Sequence, residues 1–152
     1  MPRPRHAQGR PGTRVIPADW SATHRPVTAK TMTATCSIRH PGGTPGEFDP
    51  ETGTTPVVPY PPHAPALSTR IQVLSLQDQE AIAGDEQVST VAYLVTIDAT
   101  AAAELALDDL VKVDTVDANG DPTLVGRELS VDSLTRGSLV WERDLICTDN
   151  LG

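Results

Sequence analysis

Four histidines and two cysteines are the side chains here best suited to metal binding or nucleophilic chemistry. Their spacing argues against both. His6, His24, His40 and His63 fall in the basic N-terminal region and in Pro-rich stretches, without the paired spacing of a zinc site. Cys36 and Cys147 are far apart and form no CxxC pair. Both sit in predicted strands, so a reduced, buried pair is the default, with a disulfide left open. Gly42-Gly43 follows a proline and leads into no helix, so it cannot cradle a phosphate. The segment Asp117-Ala118-Asn119-Gly120-Asp121 has the composition of a calcium loop. An EF-hand loop, however, needs glycine at its sixth position, glutamate at its twelfth, and a helix on either side. Strands flank this one, which makes it a solvated turn. No catalytic, metal or cofactor site is expected, and neither is an enzyme.

The elements that would position any site are strands. From Asp109 to Thr148 the chain alternates with a period of two, the signature of strands with one buried face. Leu110 to Val116 puts Val111, Val113 and Thr115 on one face, with Leu110, Lys112, Asp114 and Val116 on the other. Asn119-Gly120 then supplies a hairpin turn. A second strand over 124–134 carries Leu129 and Val131 on one face, and a third over 139–147 carries Leu139, Trp141, Arg143 and Leu145. Trp141, the largest side chain of the region, is expected to cover one end of the core. Earlier strands are predicted over 33–39 (Ala34, Cys36 and Ile38 on one face), 68–74 (Ile71 and Val73) and 87–97 (Val91, Tyr93, Val95 and Ile97). Gln77 to Gly84 and Ala99 to Leu107 each allow one helical turn. Six short strands need closure or a second layer, and the expected fold is a small all-β antiparallel barrel.

Two stretches do not belong to a core. Residues 1–16 are rich in Pro, Gly and Arg and form an extended arm. Residues 41–66 hold eight of the fourteen prolines and four glycines, a density that precludes a central strand or helix. A loop of this length is functional or disordered. Within it, PVVPYPP has the look of a polyproline II ligand, although packing along neighbouring subunits suits the loop better. Between arm and barrel, Pro17 and Asp19 open a short helix through Trp20 to His24, which Pro26 would end or kink. Trp20 is its expected anchor. The chain thus divides into an arm (1–16), a barrel domain (17–148) and a short tail (149–152).

Charge is unevenly spread along this plan. Residues 1–39 carry seven basic groups against one acid, Asp19, for a charge of +6; the remainder carries −14. A basic arm on an acidic body can engage nucleic acid, an acidic protein surface, or the body of a neighbouring copy. The candidate partner-binding residues are Arg3, Arg5, Arg10 and Arg14 in the arm, Trp20 in the helix, and Phe48 and Tyr60 in the loop. No run of eighteen apolar residues provides a membrane span, and the N-terminus lacks the apolar core of a signal peptide.

Taken together, HRP and ATCSIRHPGG, then FDPETGTT, STRIQV, QVSTVAYLVTI, DLVKVD, DPTLVGRELSV and WERDLICTD, resemble the small head–tail connector proteins of actinobacterial tailed phages, of the head-completion or stopper type found in siphophages. The likeness spans roughly residues 17–148 and leaves out the arm. It implies a β-barrel subunit of a homo-oligomeric ring in the virion. The ring would lie below the portal and adaptor and above a tail terminator or tail-tube protein, with double-stranded DNA passing through its lumen. It also implies a role in retaining packaged DNA and attaching the tail. A tail terminator or other tail ring component is the alternative within phage proteins. A nucleic-acid-binding module using the basic arm is the alternative outside them, weakened by an acidic barrel that lacks an aromatic platform for bases.

Overall fold

Six alternating runs pair edge to edge until the last meets the first. The computed structural model describes residues 19–74, 91–137 and 141–149. A helix, α1 (Trp20–Ala29), precedes eight strands: β1 (Ala34–Arg39), β2 (Gly43–Pro45), β3 (Val57–Pro59), β4 (Ala64–Val73), β5 (Ala92–Asp98), β6 (Leu110–Val116), β7 (Glu128–Leu134) and β8 (Glu142–Asp149). Six of them form a closed barrel in the order β1-β4-β5-β8-β7-β6, with β6 pairing back onto β1. Every pairing is antiparallel. The expected small antiparallel barrel is therefore the fold, and its last three strands are the expected meander.

The core is aliphatic and small. Cys36, Ile38, Val95, Ile97, Val111, Val113, Leu129, Val131, Leu145 and Cys147 are fully buried, and Tyr93 is the one aromatic among them. Three irregular registers, in β1–β4, β1–β6 and β7–β8, each add one residue to a strand. Such bulges bend strands at barrel corners and switch the inward face. Thus Cys36 lies opposite Val113 while Ala34 lies opposite Val116, which swings Val116 onto the core. The simple alternation that put Val116 with Leu110 and Lys112 fails at this bulge. Ala66, at the β1–β4 irregularity, sits in the left-handed region (φ 53°).

Other departures are local. The β6–β7 connection is longer than a two-residue hairpin. Asp117 to Gly120 turns, a 3-10 turn follows over Pro122–Leu124, and the positive φ falls on Gly126. Asp121 begins that turn by accepting from the Thr123 amide at 2.9 Å, with Pro122 preset for it. The second meander strand accordingly starts at Glu128 rather than Leu124. In β4 the buried residues are Ala64 and Thr69, while Val73 is exposed, because the strand runs past the end of the core. Val91 is likewise exposed, just ahead of β5. Successive turns, not a helix, occupy 99–108. α1 continues three residues past Pro26, with its end closed by bonds from Lys30 and Thr31 to the Pro26 and Thr28 carbonyls. The predictions for 1–18, for Gln77 to Gly84, for the start of the 87–97 strand and for Leu139 lie outside the described residues.

Both thiols are free and buried on the inner face. Burial pushes Cys36 up to about 12 and Cys147 in the same direction. Only the thiolate reacts, so neither cysteine should be labelled by a disulfide reagent at pH 8 while the chain is folded. Denaturant should expose both. Rapid labelling of the native protein at either position would show an opening barrel.

Candidate functional site

The strand directions gather the interesting groups at one rim. The ends of β1, β5 and β7 and the starts of β4, β6 and β8 all lie there. Arg39, the last residue of β1, lies opposite Leu110, the first of β6. The next residues outward, His40 and Asp109, therefore meet across the same ladder. Ile38 lies opposite Ala64, which brings His63 alongside, and the His63 amide donates to the Ile38 carbonyl at 3.0 Å.

The result is a compact three-residue cluster. Asp109 is 1% exposed. One carboxylate oxygen lies 2.7 Å from His40 Nδ1, and the other lies 3.2 Å from His63 Nε2. The Ala106 amide donates to that second oxygen at 2.9 Å and fixes the carboxylate's orientation. The two imidazoles stack, with centroids 4.4 Å apart and 25° between their planes. Arg39 is adjacent in sequence, but its guanidinium is taken by Glu128 at 2.9 and 3.0 Å. Among the described residues, these two histidines are the only basic side chains against Asp109.

Sequence reasoning missed this cluster because no local motif carries it. His40 and His63 stand at the two roots of the Pro-rich excursion, and Asp109 is far along the chain. Only the barrel's register unites them. The usable signal was the β1–β6 pairing: an aspartate immediately before one strand and a histidine immediately after its antiparallel partner must be neighbours.

Between those roots, the excursion folds on itself. β2 and β3 pair with each other and with no barrel strand. Asp49 and Thr54 add a bridge beyond them. The 41–66 stretch is therefore a two-stranded ribbon rather than an unstructured loop, and its last three residues belong to β4. Proline tolerates this because a short two-stranded ribbon is all edge. Gly43 makes the pairing possible, since a Cβ there would clash with the Val58 carbonyl oxygen. The ribbon carries Phe48, Val57, Val58 and Tyr60, all exposed, with Val57 at 66%. Phe48 and Tyr60, both expected partner residues, thus share one projection. Arg3, Arg5, Arg10 and Arg14 lie outside the described residues.

Trp20, the remaining expected site residue, docks α1 on the same rim. Its ring lies 4.5 Å from that of Trp141, and His24 stacks on Trp141 at 5.9 Å. Trp141 is half-buried one residue ahead of β8 and is not part of the core. It seats the helix instead of plugging the barrel, because β8 begins only at Glu142. Further along α1, Arg25 donates to both oxygens of Asp98, at 2.6 and 3.1 Å. Those hydrogen bonds, helped by Thr100, hold the Asp98 carboxyl down at about 2, against an ordinary 3.8. A depressed carboxylate stabilises the fold above its unfolded pKa, and that contribution is lost as pH falls through the folded value. Tryptophan fluorescence should therefore report loosening of α1 between about pH 4 and pH 2, and Asp98→Asn should abolish that step. Both partners are substantially exposed, so solvent screening keeps the effect small. A fluorescence signal flat across that range would mean that the Trp20–Trp141 contact holds the helix alone.

Residues 24–148 match the model of a family described as a family of unknown function (DUF6093). The chain belongs to that family. The match takes in all of the barrel but Asp149, the ribbon and the His40–His63–Asp109 cluster, and leaves the basic arm outside. No curated protein matches the chain. Among solved structures, the chain is similar to protein SF1141 from Shigella flexneri 2a, with a TM-score of 0.52 at 16% identity. The likeness covers 80% of this chain and 95% of that one. At that identity it speaks to the fold alone. Among the described residues, no helix is long and apolar enough to cross a membrane.

Proposed function

We propose that this chain is a structural virion protein, one subunit of the homo-oligomeric head–tail connector ring of a tailed phage, of the head-completion or stopper type. In that reading the ring sits below the portal and adaptor, retains packaged DNA and receives the tail. The observation that carries it is the ribbon. A small closed barrel has no free sheet edge to offer a partner. This one instead holds out a separate projection bearing Phe48, Val57, Val58 and Tyr60. Exposed apolar side chains gathered on one projection mark a contact surface. In a ring of identical subunits each contact is head-to-tail, so a projection on one copy meets a different face of the next. The charge division supports the same geometry, because the +6 of residues 1–39, four of those charges on the arm, suits the −14 remainder of a neighbour. No catalytic role is assigned.

The test is to locate the chain in the intact particle by electron cryomicroscopy. The expected result is a ring between portal–adaptor density and the tail, with the ribbon on the adjacent subunit. Density for this chain at the tail terminator or along the tube would overturn the connector assignment. Its absence from purified virions would overturn the structural role altogether.

A further inference from the structure

We propose that His40, His63 and Asp109 form a binding site for one divalent transition-metal ion of the zinc class, which clips the root of the ribbon to the barrel rim. Two imidazoles and a carboxylate are the donor set such ions favour. Their donor atoms all lie within 4.8 Å of one another. Ligand bonds of about 2.0–2.2 Å from a common centre put tetrahedral donors about 3.4 Å apart, so the 2.7 Å His40–Asp109 side must open and the longest side must close.

The charge balance points the same way. A carboxylate buried this deeply is costly unless a positive charge or a full set of donors offsets it. Arg39, the neighbouring cation in sequence, is committed to Glu128. A divalent ion supplies that positive charge at the carboxylate and takes a lone pair from each ring. The supporting contact is also in place, since the Ala106 amide orients Asp109 as outer-shell donors orient metal ligands. His40 is 48% exposed and so is free to turn out of the stack toward the ion, leaving the remaining coordination position to water.

The location gives the ion a structural task. His40 immediately precedes the Pro-rich excursion and His63 closes it, so one ion bound to both, and to Asp109, fixes the ends of that loop together. Closing a long loop removes conformational freedom from the unfolded chain. The site is independent of the ring and can be tested on the isolated full-length protein.

After chelator treatment, Co2+ is titrated into the protein and its visible d–d absorption recorded; Zn2+ binding is followed by calorimetry and thermal melting. We expect one ion per chain, tetrahedral-type Co2+ bands, and a melting temperature that rises with Zn2+. Replacing half-exposed His40 by Ala removes one partner of buried Asp109 and should lower the metal-free melting temperature, yet the chain should still fold and should bind the ion at least about 100-fold more weakly, the upper range for losing even an outer-shell partner. Asp109→Asn, which keeps the side chain's shape, should do the same to affinity. Absence of d–d bands and of a Zn2+ shift in the wild-type chain would overturn the site. So would His40→Ala binding metal as tightly as wild type, which would place the ion on the acidic surface instead.

Discussion

Replacing Leu145 by alanine is expected to lower the stability of the folded chain by about 2–5 kcal/mol. Leu145 is fully buried in β8, opposite Val95 on one side and Leu134 on the other. The loss combines the transfer of the removed atoms with the cavity they leave, and the second part depends on whether neighbours can collapse. Here they cannot easily do so. The surrounding side chains are Val, Ile, Leu and Cys held on a closed barrel, and the core's one aromatic, Tyr93, sits on a neighbouring strand. A barrel cannot shift one strand without breaking a ladder on each side. Against a total of about 5–15 kcal/mol for a typical domain, such a loss is severe. For a domain of this length it corresponds to a fall of about 5–20 °C in Tm. Thermal unfolding monitored by circular dichroism is the measurement. A Tm within a degree of wild type would mean that the barrel repacks freely and that the aliphatic core is not what holds it closed.

The same residues show how far the sequence could be read. Period-two alternation located all six barrel strands because each has one face in the core, and burial follows that pattern closely in β1, β7 and β8. It misled wherever a bulge inserted a residue, as at Val116, since one extra residue exchanges the faces of everything beyond it. It was also silent about the ends of strands. Val73 and Trp141 carry the right parity for the core but stand beyond its edge, and parity says nothing about where a barrel stops. Proline density correctly removed 41–63 from the barrel but wrongly took Ala64, Pro65 and Ala66 out of β4, and it concealed a ribbon that needs only three residues a side. The His40–His63–Asp109 cluster was the least legible feature. It depends on two strand pairings at once, and no spacing in the chain encodes a register.

Substituting aspartate at both Val57 and Val58 is expected to abolish ring assembly while leaving the monomer folded. Neither side chain contributes to the core, and surface changes of this kind usually alter stability by no more than about 0.5 kcal/mol. β3 pairs only with β2, so the barrel does not depend on it. In the proposed ring the situation reverses, because the ribbon would be covered by the next subunit. An unpaired charge trapped in such a contact costs about 3 kcal/mol or more, which is roughly a hundredfold or more in association at each interface. Residues 40–152 of the neighbour carry a net charge of −14, so repulsion would add to desolvation. A closed ring repeats the penalty at every junction, and the losses multiply. Substitution by threonine at the same two positions keeps the β-branched shape without the charge and should retain most of the assembly. The readouts are the oligomeric mass of the purified variants and the yield of tailed particles when each variant replaces the wild-type chain. If the aspartate variant forms rings and tailed particles as efficiently as wild type, the ribbon is not a subunit contact, and the assembly surface must be sought on the barrel wall or the basic arm.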